Sequence, residues 1–177
     1  GGGTWSNYQA LNPLHAMPEM NFVPTDGNAS DQLYRPNVEQ GPYLIKDESC
    51  YRCGIACHKN VYDENEEGKA GKFRAKLDYE PLNLLASIIG SFDVDQAMDL
   101  VEQVDNLGMD AISCGATISY VMEYNRRNPD SMIADGLEYG NYEKTRDVVE
   151  QIGTGKLELL GQGSMRLGEQ LNAPQYA

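Results

Sequence analysis

A chain of 177 residues is long enough for one domain with a sizeable hydrophobic core. Its 14 basic against 27 acidic side chains give a formal charge of −13, which argues against attraction to nucleic acid or to an anionic membrane surface. It has no apolar run near the roughly 18 residues of a membrane span, and Gly1-Gly2-Gly3-Thr4-Trp5 lacks the features of a signal peptide, so the chain reads as cytoplasmic.

In chain order, residues 1–45 form an irregular arm. Pro13, Pro18, Pro24, Pro36 and Pro42 fall within it, and only a short helix near Trp5 to Leu11 is expected. Residues 46–80 hold the cysteine run Cys50-Tyr51-Arg52-Cys53-Gly54-Ile55-Ala56-Cys57, a C-x2-C-x3-C spacing. Thiolates so spaced can converge on one inorganic centre but are too close for relaxed disulfides, which points to an iron–sulfur or metal loop. Clustered thiols also fit a reducing compartment better than a secreted disulfide framework. From Lys59 to Lys72 the sequence is charged and bears Gly68, so it reads as an exposed turn between short strands at Tyr43 to Ile45 and Lys72 to Leu77. The arm and the cysteine loop are expected to be the least packed parts.

Residues 81–171 read as the helical core. Pro81 suits a first helical turn, and Leu82, Leu84, Leu85, Ile88 and Ile89 predict an almost wholly apolar central helix. Asp93 and Gln96 resemble a capping box, after which Ala97, Leu100, Val101, Val104 and Leu107 recur on one helical face. Gly108 fits a C-cap, and the next helix runs from about Asp110 to Arg126, with Ser113, Gly115, Ala116 and Ser119 permitting close packing. Two more helices are expected near Glu143 to Ile152 and Lys156 to Leu171. The expected fold is therefore mainly α, one domain of about five helices with a proline-rich N-terminal third and minor strands.

Three thiolates are one short of the four that hold a [4Fe–4S] cube. Cys114 lies inside a predicted helix and reads as a small packing residue, while His58, adjacent to Cys57, reads as a bystander or supporting group. A structural zinc site would normally show a second Cys or His pair. Downstream stands Asp105-Asn106-Leu107-Gly108-Met109-Asp110, a D-x-x-G-M-D element; on its own it reads as an ordinary helix end and N-cap.

Taken together, the cysteine run, Asp78-Tyr79-Glu80-Pro81, the D-x-x-G-M-D element, Gly3-Thr4 and Met17-Pro18-Glu19-Met20-Asn21-Phe22 resemble the tungsten-dependent aldehyde:ferredoxin oxidoreductase family. Leu137-Glu138-Tyr139-Gly140-Asn141 and the stretch from Leu157 to Gly163 are similar to it as well. The resemblance covers nearly the whole chain and implies that it corresponds to the middle, largely helical domain of a larger three-domain enzyme. It implies that Cys50, Cys53 and Cys57 are three ligands of a [4Fe–4S] cluster whose fourth cysteine lies in the next domain. Asp105, Gly108, Met109 and Asp110 match the element contacting a pyranopterin that chelates tungsten or molybdenum. Glu80 matches the second acid of a Glu-Tyr-Glu run beside the metal, a candidate proton shuttle; the first acid is Asp78 here, a departure. The implied partners are the remaining domains, ferredoxin and a small aldehyde, and the isolated chain is expected to be inactive. Other readings are an aromatic-acyl-CoA reductase subunit of the same superfamily, a stand-alone electron-transfer module, and a zinc-stabilised interaction protein.

Overall fold

The computed structural model describes residues 2–23, 25 and 29–177. Proline and glycine punctuate the first third into short pieces, α1 (Asn7–Leu11), α2 (Arg35–Val38) and several 3-10 turns. A hairpin sheet follows, β1 (Tyr43–Glu48), β2 (His58–Glu64) and β3 (Ala70–Lys76). The rest is helical: α3 (Tyr79–Leu84), α4 (Val94–Asn106), α5 (Ala111–Arg127), α6 (Tyr142–Gly153) and α7 (Ser164–Gln170). The mainly α expectation with minor strands holds.

The sheet is antiparallel in the order β1-β2-β3. Glu48 pairs with His58 and Tyr43 with Asp63, so residues 49–57, the cysteine run included, form the connection at one end of a hairpin. The strand β2 was not expected, because the whole Lys59 to Lys72 stretch had the composition of an exposed turn. Only Lys59 and Val61 on β2 are buried, and the inward lysine hides the period-2 pattern. The true turn is shorter: Asn65 Oδ1 accepts from the amides of Glu67 and Lys69, and Gly68 adopts a φ of 70°. Arg74 on β3 pairs with Asp63 and with Asp95, which ties the sheet to α4.

The proline-rich arm carries proportionally fewer buried residues than the helical core, yet large anchors tie it down. Trp5, Tyr8, Leu33 and Val38 are all buried in the common core, a buried aliphatic side chain such as Leu33 or Val38 contributing roughly 1.5–3 kcal/mol. The Trp5 indole N–H also donates to the Leu33 carbonyl at 2.8 Å. Large anchors separated by prolines give no periodicity, so the packing is invisible in composition.

The apolar run after Pro81 is not one helix. The helix α3 ends at Leu84, Ala86 departs to φ −137° and ψ −82°, and a 3-10 turn over Ser87–Ile89 follows. The break lets the Ser87 hydroxyl meet the Tyr8 hydroxyl at 3.2 Å and that of Ser30 at 3.1 Å. Beside the break α5 crosses: a Cβ on Gly115 would lie 2.0 Å from the Leu84 carbonyl oxygen. The last expected helix is also shorter, since Gly163, with φ 89° and ψ 163°, starts α7 only at Ser164.

At the far end of α5, Glu123 has a side chain 5% exposed and receives hydrogen bonds from Arg126 at 2.9 and 3.0 Å and from Arg127. Burial alone would raise its pKa, but the two guanidinium groups outweigh it and hold it below the ordinary carboxylate value. The folded value lies below the unfolded one, so this stabilisation is present above the unfolded value of about 4.3 and is lost as pH falls through the folded value. A Glu123→Gln variant should therefore show a flatter fall of thermal midpoint between neutral and acid pH than the parent chain. For Gly115→Ala, helix propensity alone would add roughly 1 kcal/mol, but the overlap is with backbone and costs about 1–3 kcal/mol or more. Urea unfolding should find the variant less stable; equal or greater stability would contradict this account of the α3–α5 contact.

Candidate functional site

The turn between α4 and α5 explains why its residues point where they do. Gly108 sits at φ 67°, its amide donates to the Asp105 carbonyl at 3.0 Å, and the Met109 amide donates to the Val104 carbonyl at 3.1 Å. These two bonds form a Schellman motif, which closes α4 with an apolar contact from the residue after glycine. One residue later Asp110 caps α5, its Oδ1 accepting from the Ser113 amide at 2.7 Å. That bond holds the Asp110 carboxyl below the usual carboxylate range. Two helix ends thus fix Asp105, Met109 and Asp110 within one rigid corner.

A second element faces that corner. The helix α3 has Asp78 at its N-cap position without a side-chain cap; instead Thr4 Oγ1, from the N-terminal arm, accepts from the Tyr79 amide at 3.2 Å. The same hydroxyl donates to Glu80 Oε2 at 3.2 Å. Lys76, at the end of β3, pairs with Asp78 at 2.9 Å. Partial burial would lower the Lys76 pKa, but Asp78 first, and then the nearby Asp105 and Cys57, raise it. An open concavity of about 460 Å³ results, edged by Lys76, Asp78, Glu80, Asp105 and Asp110 and floored by Val101, Met109 and Ala111.

The cysteine loop flanks this concavity. Its backbone meets the arm at Gly3, where a Cβ would lie 3.0 Å from the Cys57 carbonyl oxygen. Gly3 in turn precedes Thr4. All three loop thiols are free, Cys50 exposed and Cys53 and Cys57 half-buried. A Cys53 amide bond to the Cys50 carbonyl at 2.9 Å turns the loop, and Arg52 and Ala56 hold left-handed φ values of 60° and 52°. A non-glycine residue held there costs on the order of 1–2 kcal/mol. Lys59, with no exposed side-chain surface, offsets part of that strain by donating to the Ala56 carbonyl at 2.8 Å, and it pairs with Asp47 at 3.2 Å. His58 Nε2 lies 3.2 Å from Cys50 Sγ.

The sequence-predicted residues Glu80, Asp105, Met109 and Asp110 therefore share one concavity, while Gly108 shapes the turn that joins Asp105 to Met109 and Cys50, Cys53 and Cys57 share one loop. No three His, Cys, Asp or Glu side chains among the described residues are gathered tightly enough to hold a single metal ion. The donor set is three free thiols on one hairpin end, which fits three corners of a cube-shaped cluster in type and number. Cys114 stands apart, buried on α5, and burial pushes its thiol up to about 12. Thr4, Lys59 and Lys76 were not singled out by sequence reasoning. The signals for the lysines were a charge where β2 needs an inward residue and a charge at the strand end before Asp78; for Thr4 there was only the Gly-Thr pair.

A family profile described as aldehyde ferredoxin oxidoreductase, domains 2 and 3, matches residues 1–177. Tungsten-containing aldehyde ferredoxin oxidoreductases of Pyrococcus furiosus and Thermococcus kodakarensis are each 28% identical over 141 residues, covering 76% of this chain and 22% of theirs. The protein of the same description from Pyrococcus horikoshii is 27% identical over 189 residues, covering 99% of this chain and 30% of its own length. The chain thus spans less than a third of these curated relatives. With the profile matching from first residue to last, the chain belongs to the aldehyde ferredoxin oxidoreductase family.

Proposed function

We propose that this chain forms part of a cytoplasmic tungsten or molybdenum bis-pyranopterin oxidoreductase. It would work with the remaining domains of its parent, a small aldehyde substrate and ferredoxin. The observation that carries the reading is the convergence of Glu80, Asp105 and Asp110, from three separate helices and turns, on one concavity flanked by the three-thiol loop. The relatives are named as tungsten-containing aldehyde ferredoxin oxidoreductases, which supports the same assignment.

In the parent, the bound groups supply the redox chemistry, RCHO plus water giving RCOOH, two protons and two electrons that leave singly. This chain's residues bind and orient. Asp110 Oδ1 is committed to the Ser113 amide, so Oδ2 and the Asp105 carboxylate are the acceptors for the amino and ring N–H groups of a pterin. Gly108 lacks a Cβ and has nothing within 4 Å of where one would stand, which lets a ligand approach the backbone closely. Cys50, Cys53 and Cys57 would hold a [4Fe–4S] cluster together with a fourth thiolate from another domain. Glu80 Oε2 is held by Thr4, so Oε1 is the atom that takes or returns a proton during aldehyde hydration and oxidation.

In the full-length parent, Glu80→Gln should lower kcat for aldehyde-dependent viologen reduction by roughly 10²- to 10⁴-fold, with tungsten and iron content unchanged. A loss under tenfold removes Glu80 from the proton path. Residues 1–177 purified alone and anaerobically should neither reduce viologen with an aldehyde nor retain iron and acid-labile sulfide through desalting. A stable four-iron cluster in the isolated chain would favour a stand-alone electron-transfer module instead.

A further inference from the structure

Lys59 is the one lysine among the described residues with a fully buried side chain, and it sits under the cysteine loop. Its ammonium donates to the Ala56 carbonyl, one residue before Cys57, while Ala56 occupies the left-handed region at φ 52°. Its side chain also walls the arm, where a Cβ on Gly3 would come within 3.0 Å of Lys59 Cε and of the Cys57 carbonyl oxygen. A buried ammonium needs an anion, and the available one is shared and wet. Asp47 is 35% exposed and divides its carboxylate between Lys59 at 3.2 Å and Arg35 at 2.8 Å. A positive field is therefore left on the inner side of the loop, where water screens it little.

Resting on the cluster reading above, we propose that Lys59 is a positioning residue for the iron–sulfur centre with two effects. It locks the Ala56 carbonyl, and with it the Cys57 end of the loop. It also places a fixed positive charge beside the centre, which favours the reduced form. Reduction adds one electron, one of the pair released from the aldehyde, and that electron passes on to ferredoxin; no bond to Lys59 forms or breaks. The added negative charge is stabilised by the ammonium, so removing that charge makes the centre harder to reduce.

The test uses the full-length parent, with iron content and an EPR-monitored redox titration as readouts. Lys59→Met should shift the midpoint potential to more negative values, Lys59→Arg should restore it towards the parent value, and Asp47→Asn should shift it to more positive values. The Asp47 variant alters an exposed side chain and so keeps the test decisive if Lys59→Met fails to fold or to load iron. Iron-loaded protein in which Asp47→Asn or Lys59→Met leaves the midpoint at the parent value overturns the inference. Unsubstituted full-length protein without an iron–sulfur signal overturns the proposed function itself, a result the variants cannot mimic.

Discussion

The backbone-to-backbone contact between α3 and α5 sets the geometry on which the rest depends. At Gly115 there is no room for a single additional carbon, since its Cβ would overlap the Leu84 carbonyl. Leu84 lies about one turn beyond Glu80 and Gly115 little more than one turn beyond Asp110. The same close crossing that packs the core therefore fixes the separation of the two helix N-termini whose acids edge the concavity. Because interiors are close-packed, a shift at this crossing would be transmitted to both acids.

Hydrogen bonds at the ends of short elements finish the arrangement. The Thr4 hydroxyl does two things, capping α3 from outside and holding Glu80, and the residue follows the glycine that touches the cysteine loop. The arm is thus the strap between loop and concavity, which accounts for the burial of its large anchors despite its prolines. Of the buried charges Glu19, Lys59 and Glu123, Lys59 is the one at the cysteine loop. Lys76 stands between Asp78, Asp105 and Cys57, and Lys59 lies under the loop, in a chain whose formal charge is −13.

The helical part was legible where sequence and packing share one period. The face of α4, its glycine stop and the Asp110 cap are each dictated within a few residues, and the structure repeats them. The misreadings have long-range causes. The break at Ala86 is accompanied by hydroxyl contacts from Tyr8 and Ser30, far upstream, and an apolar run gives no sign of it. The strand β2 was hidden by Lys59, whose ammonium meets Asp47 across the hairpin and the Ala56 carbonyl three residues before it. For the proposed site, the family resemblance named Glu80, Asp105, Met109, Asp110 and the three cysteines, while Thr4, Lys59 and Lys76 act through contacts that only folding creates.

Anomalous diffraction from crystals of the full-length parent, collected at the iron and tungsten edges, addresses the central claim most directly. The account predicts an iron peak bounded by Cys50, Cys53 and Cys57 and a tungsten or molybdenum peak in the domain enclosure facing Glu80 and the Asp105 to Asp110 turn. Zinc at the cysteines, or a heavy metal bound away from that concavity, would contradict it.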